Sequence, residues 1–189
     1  MNFKAKEKNG TVYFLARLSY ANVFEAKSFS GQDPKYSVSL LIPKEDKQTL
    51  KVIKEAIEAA KERDKDKKWN GKIPAKLRLP IRDGDEDRPD DEVYADHYFI
   101  NANAAENRPP RLLTRVKGET ATEEDIYSGC YAVAIVNFYG YSAAGNVGIG
   151  CGLVGLQAFA EGERLSGASF DADELDFDEE DDIDDDFLA

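Results

Sequence analysis

The sequence predicts a mainly β fold, a small barrel elaborated by one substantial helix and followed by a disordered acidic tail. Three observations carry this. Segments at 11–20, 35–42, 93–100, 130–139 and 151–160 read as strands, and the first two show clear period-two alternation. One segment, 46–62, instead repeats its apolar residues at helical spacing. The last segment, 171–189, holds twelve of the 37 acidic residues and none of the 25 basic ones.

In 11–20, Val12, Phe14, Ala16, Leu18 and Tyr20 share one face, and Thr11, Tyr13, Leu15, Arg17 and Ser19 share the other. In 35–42, Tyr36, Val38, Leu40 and Ile42 fall together, with Gly31 and Pro34 punctuating the link before them. Pro43 closes that strand. Leu50, Ile53, Ile57 and Ala60 then mark a helix over 46–62, with Lys54 and Glu58 on its solvated side. The stretch 63–72 is polar apart from Trp69 and reads as a loop. A short extended run at 75–81 leads into a charged loop at 82–92. After the strand at 93–100, residues 101–110 are a connection ended by two prolines, and 111–117 read as a short strand. A short helix is expected at 122–127, where Thr122 and Asp125 resemble a capping arrangement. The strand at 130–139 and the return at 151–160 flank a glycine-rich turn region. Phe14, Leu18, Val38, Leu40, Val133 and Ile135 are the core candidates.

Several strands around one helix suggest a barrel or sandwich rather than repeated βαβ units. An elaborated OB-fold barrel is the candidate, although its helix commonly lies between strands three and four and here falls earlier. The predicted organisation is an OB-like domain over 1–170 and a tail over 171–189.

Charge and chemistry then narrow the function. The net charge is -12, yet the tail carries the whole imbalance and leaves 25 acidic and 25 basic residues in the body. A neutral body can hold a basic groove, because binding follows local potential. Cys130 and Cys151 form no metal-spaced pair, and the N-terminus lacks a signal-peptide pattern, so a reducing cytoplasm without membrane attachment is expected. His97 is the single histidine and sits in no catalytic constellation. There is no nucleophile elbow or phosphate-binding loop, and the glycines of 145–155 read as tight β packing. The acidic run at 82–92 lacks EF-hand spacing. The reading is a non-enzyme with no metal or cofactor. The weighed alternatives are a metal-dependent nuclease and an acidic-tailed interaction module or chaperone for basic proteins.

The tail combines repelling carboxylates with Leu175, Phe177, Ile183, Phe187 and Leu188, which favours disorder with apolar anchors for a partner. A tethered polyanion would also compete for a basic groove at high effective concentration. The segments 12–29, 35–44 and 127–167, with the acidic ending that contains Phe187, resemble phage-type single-stranded DNA-binding proteins of the T7 helix-destabilising class. The resemblance implies an OB fold and binding of single-stranded DNA without strong sequence preference, in replication or recombination. It also implies an acidic tail that contacts partner proteins, here through Asp184, Asp185, Asp186 and Phe187, and homodimers in several members.

Such binding needs phosphate neutralisation and aromatic platforms. Arg17, Lys35, Arg111, Arg115 and Lys117 are the expected backbone contacts, the last three sharing one strand face. Trp69, Tyr139 and Tyr141 are the expected stacking residues.

Overall fold

The computed structural model describes residues 1–165. The predicted tail and the boundary at 170 lie outside the described residues.

Five long strands build the barrel. β2 (Thr11–Lys27) pairs antiparallel with β3 (Lys35–Pro43) on one side and β7 (Tyr131–Ala143) on the other. β3 continues to β5 (His97–Ala105), and β7 to β8 (Asn146–Ala160). A parallel contact between Asn103 of β5 and Gly152 of β8 closes the ring. Three short strands add to it. β1 (Lys6–Lys8) pairs with β2, β4 (Ile81–Asp83) with β5, and β6 (Arg111–Leu113) with β8. The mainly β barrel with one main helix is the fold read from the sequence, with the helix between its second and third long strands.

Alternation explains the core. Val12, Phe14, Ala16 and Leu18 of β2 are buried, as are Val38, Leu40 and Ile42 of β3. They meet Ile100 and Ala102 of β5, Val136 and Phe138 of β7, and Ile149, Cys151 and Leu153 of β8. Each fully buried large aliphatic or aromatic side chain stabilises the fold by about 1.5–3 kcal/mol. On β7 the even residues face inward, so Ile135 is only half-buried, contrary to its expected core place, while Val133 is buried.

Four local expectations change. Helix α1 (Lys47–Lys68) runs past Glu62 through the segment read as a loop. Nothing in 63–68 breaks a helix, Lys65, Lys67 and Lys68 suit its C-terminal dipole, and Trp69 anchors the end in the core. Asp46 caps its start by accepting the Thr49 N–H at 3.1 Å. The charged 82–92 segment holds the short helix α2 (Gly84–Asp87), followed by a 3-10 turn (Glu92–Tyr94), so the next strand begins at His97 rather than Val93, and it runs on to Ala105 through the first half of the segment read as a connection. This insertion covers a second small core of Leu41, Tyr94 and Phe99 on the outer face of the sheet. Residues 122–127 form a turn rather than a helix. Thr122 does donate to the Asp125 carboxylate at 2.8 Å, but Ser128 and Gly129 follow too soon for a helix to propagate. Finally, β6 ends at Leu113, so Arg111, Arg115 and Lys117 do not share one strand face.

No helix among the described residues is long and apolar enough to cross a membrane.

Candidate nucleic-acid interface

The β7–β8 hairpin turns at Ala144 and Gly145, both at positive φ (50° and 78°). A two-residue turn with both φ positive matches the twist of the strands it joins. It pairs Ala143 with Asn146 and thereby sets Tyr141 opposite Gly148, Tyr139 opposite Gly150 and Asn137 opposite Gly152. Paired residues point to the same face, so each long side chain meets a glycine. A Cβ at Gly150 would stand 2.6 Å from the Tyr139 ring, and one at Gly148 2.7 Å from the Tyr141 hydroxyl. A Cβ at Gly152 would collide with the Asn137 amide. The glycines let Tyr139 and Tyr141 lie down against β8, and Tyr139 still keeps 42% of its surface exposed.

Helix α1 holds the same part of β7 from the other edge. β7 has its last β2 partner at Asn137, which pairs with Thr11. Beyond that point α1 side chains take the place of a neighbouring strand. Arg63 donates to the Phe138 carbonyl at 2.8 Å, the Gly140 N–H donates to Asp64 at 2.7 Å, and the Trp69 indole N–H donates to the Tyr141 carbonyl at 3.2 Å. Arg63 also grips Asp64 with two 2.9 Å contacts. That hydrogen bond chiefly holds the Asp64 carboxyl below its ordinary range; burial opposes it, and the Gly140 N–H adds to it.

Two connected hollows open on this face. One of about 620 Å³ is lined by Arg78, Arg82, Asn101, Asn103, Tyr139 and Tyr141 among others. The other, of about 460 Å³, adds Arg108, Asn137 and Val154 and shares Asn103 and Tyr139 with the first. Tyr139 thus stands at the middle of a groove with Arg78 and Arg82 at one end and Arg108 at the other. Arg82 pairs with Asp87 at 2.7 Å, whereas Arg78 and Arg108 enter no ion pair among the described residues. Burial, followed by the neighbouring Cys151 and Tyr141, pushes the Tyr139 phenol above its usual range, so it stays neutral. Burial likewise raises the Cys151 thiol beneath it. A neutral aromatic face between guanidinium groups suits a base next to its phosphates. A further hollow of about 600 Å³, between α1 and Leu79–Asp83, shares Leu79 and Arg82 with the first; it is lined by Leu50, Ile53 and Ile57 and carries Lys47, Lys54 and Arg82 beside Glu58, Asp83 and Glu86. Its carboxylates offset its cations, whereas the Tyr139 groove is lined by arginines and no carboxylate, so the groove is the better seat for a polyanion.

Of the residues expected from the sequence, Tyr139 and Tyr141 lie in the groove. Lys35 pairs with Ala105, which lines the second hollow, and Arg111 pairs with Gly155, next to Val154. These two stand at its rim. Arg17 is engaged elsewhere, donating to the carbonyls of Gly129 and Glu163 at 3.2 Å each. Arg115 donates to the Phe159 carbonyl at 3.2 Å and lies over the Phe159 ring, in a hollow that also holds Glu119, Glu124, Asp125 and Glu161. Lys117 is exposed in the following turn. Trp69 is only 7% exposed, and its ring packs on Gly140; it is a core residue and offers no stacking face. Asp184, Asp185, Asp186 and Phe187 lie outside the described residues.

Sequence reasoning missed Arg78, Arg82, Asn101, Asn103, Arg108 and Asn137. One signal was available. Counting outward from a turn at 144–145 places Gly148, Gly150 and Gly152 opposite Tyr141, Tyr139 and Asn137, which marks an outer face built for flat-lying side chains. Arg78 and Arg108 come from connections and Arg82 from the three-residue β4, where periodicity carries no information.

The carboxylates of 82–92 are engaged in part: Asp83 and Asp85 both reach Lys44, at 2.6 and 2.7 Å. The Lys44 ammonium is pushed upward chiefly by these two hydrogen bonds, and both carboxyls are lowered.

Known proteins share this sequence pattern and this fold. The family described as Enterobacter phage Enc34, ssDNA-binding protein matches residues 11–188. Protein p50 of Acyrthosiphon pisum secondary endosymbiont phage 1 is 33% identical over 157 residues, covering 80% of this chain and 83% of its own. The single-stranded DNA-binding protein from bacteriophage Enc34, solved in complex with ssDNA, superposes with a TM-score of 0.73 at 26% identity, over 84% of this chain and 91% of that one. The gp2.5 single-stranded DNA-binding protein encoded by bacteriophage T7 gives a TM-score of 0.55 at 15% identity, over 89% and 97% of the two chains, a likeness of fold.

Proposed function

The chain belongs to the Enc34 single-stranded DNA-binding protein family of phages, and we propose that it binds single-stranded DNA without strong sequence preference along the Tyr139 groove. The observation that carries this is a single half-exposed tyrosine, bedded on Gly150 and flanked by guanidinium groups at both ends of an open channel. Stacking on Tyr139 is sequence-tolerant because every base has a π-face, and Arg78, Arg82 and Arg108 neutralise successive phosphates. Asn101, Asn103 and Asn137 offer both donors and acceptors to base edges or sugars. A relative at 26% identity has been solved with ssDNA bound, which supports the same ligand here.

The role is non-enzymatic: the protein holds unpaired strands during phage replication or recombination, in the cytoplasm of the host. The acidic tail competes for the groove while DNA is absent and recruits replication or recombination proteins once displaced. Asp184, Asp185, Asp186 and Phe187 are its proposed contacts. Lys35 and Arg111 serve at the rim of the groove. A homodimer is part of the same proposal, and sedimentation of the full chain tests it.

The test of function is binding to a fluorescent poly-dT oligonucleotide at several salt concentrations, with the full chain and with a chain ending at Phe170. Binding that weakens with salt and tightens on tail removal supports both groove and tail. Absence of binding by either folded chain at low salt overturns the assignment and favours an acidic-tailed interaction module. Binding unchanged by truncation keeps the groove and rejects the competing tail.

A further inference from the structure

The groove does not end at β5. Register carries a row of small polar residues across the whole outer face: Asn22 of β2 pairs with Ser37, Ser37 with Asn103, Asn103 with Gly152, and Gly152 with Asn137. A second row beside it runs Ser19, Ser39, Asn101. No charged or large aliphatic side chain belongs to either row. The Ser39 hydroxyl, buried in this floor, has no hydrogen-bond partner within the chain.

At the far end of that floor β2 changes phase. Up to Leu18 its even residues face the core; after the irregularity between Ser19 and Asn22, Ala21 and Val23 face inward. Tyr20 takes up the change with a φ of 46°, a conformation a bulky residue adopts only under constraint. The result is that Tyr20 stands on the outer face, 57% exposed, in line with Asn22 and Phe24. Strict alternation would have sent Tyr20 into the core. The Arg88 guanidinium lies 5.2 Å from the Tyr20 ring centre and 5.1 Å from that of Tyr94, and Arg88 enters none of the ion pairs among the described residues. Arg88 thus lies against the Tyr20 ring and supplies positive charge beside it.

We infer that Tyr20, with Arg88 against its ring, is a second stacking station for single-stranded DNA, reached from Tyr139 across the polar floor of β5 and β3. The inference rests on the Tyr139 groove as the first station. A strand held at both ends lays its sugars and base edges over Asn103, Ser37 and Asn22, whose short side chains leave room for it.

The two stations differ in which oligonucleotides they report. The full chain and its variants are titrated with dT oligomers of about 4 and about 16 nucleotides, near the two ends of the OB-fold site-size range. Tyr20→Asn keeps a residue that tolerates the left-handed backbone, and Tyr20→Phe keeps the aromatic face. The expected result is that Tyr20→Asn weakens the long oligomer about tenfold, that Tyr20→Phe restores it, and that neither change affects the short one. Equal binding of the long oligomer by Tyr20→Asn and the unaltered protein, with Tyr139→Leu still impaired, overturns the second station and leaves the groove standing. Failure of the unaltered protein to bind either oligomer overturns both readings.

Discussion

The carboxylate of Asp64, in the last turns of α1, accepts the backbone N–H of Gly140 at 2.7 Å, and Gly140 lies between Tyr139 and Tyr141. A helix side chain thereby completes the hydrogen bonding of a barrel strand along the edge that β2 no longer covers. The contact ties the outermost part of the helix to the residues that form the groove. Breaking it leaves a backbone donor without its partner, which costs about 1–3 kcal/mol when the group is buried. Asp64→Ala is expected to lower stability in urea by that order and to weaken oligo-dT binding severalfold.

The same carboxyl predicts a pH dependence. Its folded pKa lies below the ordinary value because Arg63 and the Gly140 N–H favour the charged form. A depressed carboxyl contributes stability above its unfolded pKa of about 3.9, and this is lost as pH falls through the lower folded value. Asp83 and Asp85 are lowered as well, by Lys44, and share the acid limb. The expected outcome is that the stability gap between unaltered protein and Asp64→Asn is constant at neutral pH and narrows as pH falls below about 4. Urea titrations over that range check it, and a gap that widens in acid contradicts the assignment.

Gly150→Ala tests the platform itself. The new methyl group would meet the Tyr139 ring at 2.6 Å, and the ring is the movable partner. The side chain must lift from β8 and lose its bedding, so dT affinity is expected to fall about tenfold with little change in the urea midpoint. Tyr139→Ala is expected to remove about 1–3 kcal/mol of binding. Gly148→Ala differs, because its methyl group also meets the Arg78 carbonyl at 2.6 Å and the backbone there cannot yield cheaply. That variant is expected to lose stability as well.

Salt dependence counts the cations. Each phosphate neutralised on a single strand contributes about 0.7 to the slope of log affinity against log salt. Arg78→Ala and Arg108→Ala are each expected to lower that slope by about 0.7, whereas Arg115→Ala, whose guanidinium lies over Phe159 in a hollow with four carboxylates, leaves it unchanged. A flat response at Arg78 and Arg108 together with a change at Arg115 would move the DNA path to the other end of β8.

Trp69 separates core from surface. It is the single tryptophan of the chain and is buried against Gly140. Trp69→Ala is expected to cost about 3–5 kcal/mol of stability, as for other large aromatic truncations in cores. Its emission is expected to shift to the red on unfolding in urea and to change little on adding dT, since no base reaches it.

Much of the fold was legible because burial writes itself into a sequence with the period of the element that is buried. Val12 to Leu18 and Val38 to Ile42 alternate since one side of each strand meets the core, and Ile53, Ile57 and Ala60 recur because one stripe of α1 does. The same logic shows where legibility ends. Residues 63–68 are all charged, so their helix left no apolar period to read. Tyr20 follows the alternation of β2 in sequence and violates it in space, because the irregularity after Ser19 inverts the faces. Trp69 in a basic segment suggested a stacking surface, and the helix end carries it inward instead.

By itself the sequence determined the class of fold, the position of the main helix, the confinement of the charge imbalance to the ending, and the resemblance that led to the family. Each of these depends on composition or on contacts between near neighbours in the chain. Only the tertiary structure decided which side chains share the groove. Arg78 from a connection, Arg82 from β4, Asn101 and Asn103 from β5, Arg108 from another connection and Tyr139 from β7 meet because the barrel closes at Asn103 and Gly152. Closure pairs residues far apart in the chain, and a register between such distant strands is set by side-chain packing across the whole ring, which no local period encodes.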